Sequence, residues 1–144
     1  MKKWIFIAAC LGILTSCSNA FSVKIIGDVK NGLNFQIVHS LTDPYPVKLH
    51  NVKVAVFEYA FASQKWETIC SASTEEKLDE ISIQNGKLLN VPVLRAFQCG
   101  HAYQVYVAGL PKSGGYGYGD VMFFIGPEGE IQIIKSPKEI TIKN

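Results

Sequence analysis

The sequence predicts an all-β domain, an antiparallel sandwich of two sheets, with a small β-barrel as the alternative. From Phe21 onward the apolar residues recur mostly at every second position, in short runs rich in Val, Ile, Phe and Tyr. Gly, Pro, Asn and Asp separate these runs, and no long segment has a helical period. Such a succession of short strands fits two packed antiparallel sheets better than any helical or mixed fold.

The strands follow from this alternation. In chain order, the predicted strands are 23–30, 33–40, 52–56, 65–71, 80–84, 87–93, 102–110, 121–125, 130–135 and 139–143. Asn31-Gly32 and Asn85-Gly86 are each predicted to form a two-residue hairpin turn, because this dipeptide readily adopts the positive φ angles required. Because proline donates no backbone hydrogen bond, Pro92 predicts that strand 87–93 lies at a sheet edge or ends early. Residues 74–80 interrupt the alternation, and Thr74 is placed to cap one helical turn.

Length and charge exclude several classes of protein. A chain of 144 residues with 18% charged and 48% hydrophobic residues fits one folded domain, which excludes a two-domain enzyme and a disordered chain. The net charge is +2, but two of the basic residues are Lys2 and Lys3. From Cys17 onward there are 12 basic and 12 acidic side chains, so no nucleic-acid partner is expected.

The N-terminus has the pattern of a secretory signal. Lys2 and Lys3 precede an apolar run over 4–14, which small and polar residues follow. The run is shorter than the ~20 apolar residues that a membrane-spanning helix needs. An N-terminal helix packed in the core is the alternative. An exported protein is therefore expected.

The stretch Leu14-Thr15-Ser16-Cys17 resembles the lipobox of bacterial lipoproteins. The resemblance implies cleavage before Cys17, a diacylglyceryl thioether on its sulfur, and a further acyl chain, such as palmitate, on the freed amine. Cys10 also ends such a pattern, but cleavage there leaves a hydrophobic region of only about six residues, below the usual 7 to 15. The expected organisation is a signal peptide over 1–16, a lipidated tether over 17–22 and one sandwich domain over 23–144.

The same resemblance suggests a location. In enterobacterial lipoproteins an Asp after the lipidated cysteine tends to mark retention at the inner membrane, and this chain has Ser18 there. An outer-membrane destination is therefore implied, provided that the source is Gram-negative. Attachment would come from the acyl chains, because more than one buried chain makes anchoring stable.

Two cysteines remain for the folded part. These are Cys70 and Cys99. Because an even number of cysteines in an exported chain indicates disulfide bonding, the two are predicted to form a disulfide. Closing a loop of about 30 residues contributes roughly 3.6 kcal/mol in the chain-entropy model. The alternative is two free thiols.

The segment Gly100–Gly109, with alternating Tyr103, Val105 and Val107, resembles a late strand of immunoglobulin-like or transthyretin-like sandwiches. In immunoglobulin domains the corner tyrosine precedes the second cysteine by two positions. Here Tyr103 follows Cys99 by four, so the resemblance implies only the sandwich architecture.

The sequence carries no enzyme motif, so neither catalysis nor a cofactor is expected. It lacks G-x-S-x-G, H-E-x-x-H and the phosphate loop. If the turn at 42–46 joins adjacent strands, His39 and His50 lie opposite each other and offer two metal ligands. With no third ligand evident, two surface histidines are the favoured interpretation, and no metal is predicted. The acidic residues over 75–80 are interpreted as a solvated face.

The segment 113–120 is the strongest candidate for binding. Its glycines surround Tyr116 and Tyr118, whose flat amphipathic rings suit recognition of protein surfaces or sugars. Tyr45, between two prolines, presents another aromatic ring at a turn. The alternative is that these tyrosines fold back on the sandwich.

A function follows from these expectations together. The sequence predicts a membrane-anchored envelope lipoprotein, a non-catalytic binding or assembly module that contacts a protein partner through Tyr45, Tyr116 and Tyr118. The alternative is an inhibitor of extracytoplasmic enzymes, or a binder of small ligands or carbohydrates.

Overall fold

The computed structural model describes residues 19–43, 45–84, 86–112 and 114–140. Nearly all regular structure there is β-strand, as predicted. The strands are β1 (Asn19–Ala20), β2 (Ser22–Asp28), β3 (Gly32–Val38), β4 (Leu49–Ala60), β5 (Lys65–Thr74), β6 (Glu80–Gln84), β7 (Lys87–Leu88), β8 (Val91–Pro92), β9 (Ala102–Pro111), β10 (Gly117–Ile125) and β11 (Ile131–Ile133). A single turn of 3₁₀ helix follows at Pro137–Glu139.

The strands form two sheets packed face to face, which confirms the predicted sandwich. The large sheet has the order β1-β10-β9-β4-β5, with β11 also paired to β10. The small sheet has the order β2-β3-β6-β7-β8. All pairings are antiparallel except the short parallel pair of β1 with β10. Both sheets end in edge strands, so the domain is a sandwich and not the alternative barrel.

The core lies between the sheets and consists of every second residue of the strands. On β4, for example, Val52, Val54 and Val56 are buried while Lys53 is exposed. This period of two arises because successive side chains of a strand point to opposite faces. The largest fully buried side chains are Tyr103, Phe35, Phe123, Leu33, Ile37, Leu49, Ile69 and Ile81.

The first hairpin forms, but its turn differs from the prediction. Asp28 pairs with Gly32, so the loop has three residues and Asn31-Gly32 is not a two-residue turn. The Asp28 carboxylate accepts hydrogen bonds from the backbone amides of Lys30 and Asn31, at 2.9 and 2.8 Å. Hydrogen bonds from Asn31 are also the main cause of the lowered pKa of Asp28. A side-chain cap on the loop therefore replaces the expected turn.

The second hairpin is confirmed by the pairing of Gln84 with Lys87 across a two-residue connection, although Asn85 itself lies outside the described residues. The predicted strand 87–93 is divided. Leu89 and Asn90 adopt positive φ and turn the chain, so that two-residue strands β7 and β8 pair with each other. β8, which contains Pro92, is an edge strand, as its proline predicts.

Three further expectations need correction. No helical turn forms over 74–80, where Thr74 Oγ1 instead accepts a hydrogen bond from the backbone amide of Glu76 within a bend. The predicted strand 139–143 begins in the 3₁₀ turn, and its last three residues lie outside the described ones. β10 starts at Gly117, four residues earlier than predicted, so Tyr118 belongs to a strand.

The expected tether over 17–22 is largely part of the fold. β1 pairs with the start of β10, Phe21 donates its backbone amide to the Tyr118 carbonyl at 2.8 Å, and Ser22 begins β2. The chain thus passes from the large sheet to the small one within four residues. Gly119 permits this crossing, since a Cβ atom there would lie 2.6 Å from the Phe21 carbonyl oxygen.

Cys70 and Cys99 are free thiols in the structure, so the predicted disulfide between them is not formed. Cys70 lies on β5 and is buried in the core, and this burial raises the pKa of its thiol. Cys99 lies in the exposed turn that precedes β9. One sulfur therefore faces the core while the other is at the surface.

The sandwich has two distinct ends. At the proximal end lie β1, the start of β10 and the loops that follow β3 and β9. At the distal end lie the β2–β3 and β4–β5 turns and the start of β9. Over 19–140, with its three single-residue gaps, the structure has no helix long and apolar enough to cross a membrane.

Candidate functional site

Three tyrosines near the start of β10 are here called the tyrosine face: Tyr106 and Tyr118 on the outer face of the large sheet, and Tyr116 in the loop just before β10. Tyr106 is on β9 and Tyr118 on β10, and their rings stack with centroids 6.2 Å apart and an interplanar angle of 22°. Burial raises the pKa of the Tyr106 phenol, and the nearby phenols of Tyr116 and Tyr118 raise it further. The predicted residues Tyr116 and Tyr118 are thus joined by a third tyrosine.

The tyrosine face is open to solvent. Tyr116 and Tyr118 are 48% and 41% exposed, although both are large and partly apolar. Beside them, Gln104 donates a hydrogen bond from Nε2 to Asp120 Oδ2 at 2.8 Å. Aromatic rings with polar hydroxyls next to fixed polar groups are the composition found at protein recognition surfaces. The arrangement suits a protein contact, with flat apolar area and hydroxyl hydrogen bonds.

Tyr45 lies in a different place from these three residues. It belongs to the loop between β3 and β4, which passes from the small sheet to the large one at the proximal end. Its side chain is 75% exposed and makes no ring contact with another described aromatic residue. The expected set of three binding tyrosines is therefore divided between the tyrosine face and the loop that joins β3 to β4.

A groove of about 600 Å³ runs along one side of the sandwich, between the free edge of β2 and strands β10 and β11. Its walls are mostly aliphatic, and Lys24, Lys135 and Asp120 lie at its rim. The apolar lining residues are Phe21, Val23, Ile25, Leu41, Val121, Met122, Ile131, Ile133 and Ile134. Tyr116 and Tyr118 do not line it. The groove can accept apolar groups, whereas a sugar needs more polar partners than it offers.

A buried carboxylate contacts a guanidinium group and an imidazole ring near the distal end. Glu58 on β4 is 7% exposed, its Oε1 contacts His101 Nδ1, and its Oε2 lies 3.3 Å from Arg95 Nε. Arg95 also donates to Glu67 Oε2 at 2.8 Å, which is the main cause of its raised pKa. Pairing of this kind is what a carboxylate removed from water requires.

His39 and His50 do not lie opposite each other. β3 belongs to the small sheet and β4 to the large one, so the intervening loop does not join adjacent strands. His39 instead packs against Phe21, with ring centroids 6.1 Å apart, while His50 is on β4 opposite Leu110. In the described part of the chain, no group of three or more His, Cys, Asp or Glu side chains is arranged to hold a metal.

Sequence reasoning missed the Glu58 cluster and the groove. Glu58 has a recognisable signal, because it continues the inward alternation of Val52, Val54 and Val56 and so occupies a core position. The groove has no such signal, since its walls come from strands of different sheets.

The lipobox at Leu14–Cys17 lies outside the described residues. No protein-family model matches the chain, and no curated protein is similar to it in sequence. The protein is therefore classified by its fold alone. It is a two-sheet β-sandwich with an exposed tyrosine face and an apolar groove along one side.

Proposed function

We propose that this protein is a lipid-anchored envelope lipoprotein whose sandwich captures a protein partner through the tyrosine face. The observation that carries the proposal is the stacking of Tyr106 and Tyr118 on one outer face, with Tyr116 in the adjoining loop, where Tyr116 and Tyr118 stay more than two-fifths exposed. Tyrosines contribute large contact area with few rotatable bonds, so they are favoured at interfaces. We propose no catalytic role. If the source is Gram-negative, Ser18 after the lipidated cysteine favours the outer membrane as the site of anchoring.

The anchor is supported by the order of features at the N-terminus. Lys2 and Lys3, the apolar run and Leu14-Thr15-Ser16-Cys17 stand in the order of a lipoprotein signal. Replacing Cys17→Ser should abolish incorporation of labelled palmitate and leave the precursor uncleaved, while Cys10→Ser should change neither. Labelling that survives in Cys17→Ser and is lost in Cys10→Ser would move the anchor to Cys10.

The partner contact is tested by the double substitution Tyr116→Ala, Tyr118→Ala. Crosslinking in intact cells, followed by mass spectrometry, should show the main crosslinked partner of the wild-type protein at least about tenfold depleted, as expected for loss of interface anchors. Leu94→Ala is the control, because Leu94 is a large apolar side chain, 78% exposed, that lies outside the face. An unchanged crosslinking pattern in the double variant, at unchanged protein level, would contradict the proposed contact.

A second candidate function is binding of a small apolar ligand in the groove, favoured by its volume of about 600 Å³ and aliphatic walls. An environment-sensitive apolar dye should bind the wild-type protein, and Ile131→Glu should abolish this binding. Dye binding that is equal in both proteins would remove the groove from consideration.

A further inference from the structure

The structure leaves almost no free chain between the proposed lipid and the folded domain. Asn19 is fixed by its pairing with Gly117, so only Ser18 separates it from Cys17. Two residues span at most about 7 Å when fully extended. If Cys17 carries acyl chains in a bilayer, the proximal end of the sandwich must lie directly against that bilayer.

The loop between β3 and β4 lies beside this exit point. His39, its first residue, packs against Phe21, which follows β1 directly. The loop presents Leu41 and Tyr45 at 63% and 75% exposure, among the most exposed large apolar side chains of the described chain. Lys48, close to the end of the loop, is exposed as well.

The loop is held in shape by its own hydrogen bonds. Asp43 donates its backbone amide to the Ser40 carbonyl at 3.0 Å, and the Asp43 carboxylate accepts from the Tyr45 amide at 2.9 Å. At its end, the Val47 amide donates to the Ile37 carbonyl at 2.7 Å. Leu41 and Tyr45 are therefore presented without the entropy cost of ordering a flexible segment.

We propose that this loop contacts the phospholipid bilayer, with Leu41 and Tyr45 in the interfacial region and Lys48 near the phosphates. This contact rests on the proposed lipid anchor. Tyrosine is enriched at membrane interfaces because its ring is apolar and its hydroxyl stays hydrated, and lysine reaches phosphates while its stem covers apolar surface. The lipidated cysteine and the loop then form two membrane signals at one end of the domain.

The charges at the proximal end set how the domain meets the bilayer. Glu75 and Glu76 are exposed beyond β5, which is the edge of the large sheet farthest from β1, and the exposed Lys77 beside them offsets only part of their charge. Phosphate head groups repel these carboxylates, so the β1 edge is expected to tilt toward the lipid. Tyr106 and Tyr118 lie on the outer face of the sheet and stay available to a protein partner in this orientation, whereas Tyr116 precedes Gly117, the partner of Asn19, and lies at the bilayer end of the tyrosine face.

Quenching of tryptophan fluorescence by brominated phospholipid tests the contact. Cleavage before Cys17 removes Trp4, so Trp66 is the single tryptophan of the mature protein. In the full lipidated protein carrying Trp66→Phe, one variant adds Tyr45→Trp and a control adds Ser63→Trp in the distal β4–β5 turn. β4 connects the two ends and is about 35 Å long, well beyond the reach of a bromine atom in the bilayer.

The proposal predicts that brominated phosphatidylethanolamine–phosphatidylglycerol vesicles lower the emission of the Tyr45→Trp variant roughly twofold and leave the Ser63→Trp control unchanged. Leu41→Trp is a second reporter and should behave as Tyr45→Trp does. Equal emission in brominated and ordinary vesicles, for a protein whose mass includes the acyl chains, would overturn the lipid contact and leave the proposed anchor standing. A mass without acyl chains would remove the anchor and the contact together.

Discussion

Two groups of aromatic side chains lie on opposite faces of the large sheet. The inner cluster is Phe35, Phe97, Tyr103 and Phe123, packed between the sheets, with the rings of Phe97 and Tyr103 4.7 Å apart at 82°. The outer group is the tyrosine face, whose stacked pair is 6.2 Å apart. Tyr103 and Tyr106, three positions apart on β9, therefore point to opposite faces.

The comparison shows what burial does to the same residue type. Tyr103 is fully buried, its hydroxyl accepts a hydrogen bond from the Gln98 amide at 2.8 Å, and burial raises its pKa to about 12. Tyr106 and Tyr118 stack on each other, and Tyr118 stays 41% exposed while Tyr106 is partly buried. Removing an inner ring should cost folding free energy, whereas removing an outer ring should cost mainly binding.

The largest expected effect is that of Phe123→Ala. Phe123 is fully buried and contacts Phe35, Phe97 and Tyr103, so its removal leaves a cavity among rings that cannot collapse easily. We expect the free energy of unfolding to fall by roughly 3 to 5 kcal/mol in chemical denaturation. Phe124→Ala, one position along on the outer face, is the control and should cost clearly less. Equal losses would show that the two faces do not differ as described.

The next effect is that of Tyr103→Phe, which keeps the ring and removes the hydroxyl. At neutral pH we expect a loss of about 1 kcal/mol, because the Gln98 amide loses its acceptor. The two proteins should also differ in how their stability depends on pH in the alkaline range. A phenol with a pKa of about 12 when folded and 10 when unfolded keeps its full stabilising effect below pH 10 and loses it as the pH rises toward 12.

Wild-type stability should therefore fall across pH 10 to 12 by an amount on the order of 2 kcal/mol from this group, a fall that Tyr103→Phe lacks. Denaturant midpoints across this range measure the difference. Parallel pH profiles for the two proteins would mean that Tyr103 ionises as readily in the folded state as in the unfolded one.

The sequence predicts the sandwich because its main signal is local. Alternation such as Val52, Lys53, Val54 needs only the next residues of the same strand, and Pro92 marks an edge strand by its missing amide hydrogen. Turns were less well predicted, since the carboxylate of Asp28 caps a three-residue loop where Asn31-Gly32 favoured a two-residue one.

The candidate site was predicted only in part, because it depends on pairings between distant strands. Tyr116 and Tyr118 stand out within a glycine-rich segment, but Tyr106 joins them only through the register of β9 with β10. The conditional placement of His39 opposite His50 does not occur for a similar reason. Local sequence does not show that the chain changes sheets between β3 and β4.

The smallest expected effect is the coupling between the two outer rings. In a double-mutant cycle with Tyr106→Ala and Tyr118→Ala, we expect a coupling of about 0.5 kcal/mol in the free energy of unfolding, the low end for aromatic pairs, because these rings are 6.2 Å apart and partly hydrated. The same cycle with Phe97→Ala and Tyr103→Ala should give a larger value, since those rings meet edge to face at 4.7 Å inside the core. Equal coupling in the two cycles would mean that the outer tyrosines support the fold as much as the inner ones do, and the case for a binding face would lose its physical basis.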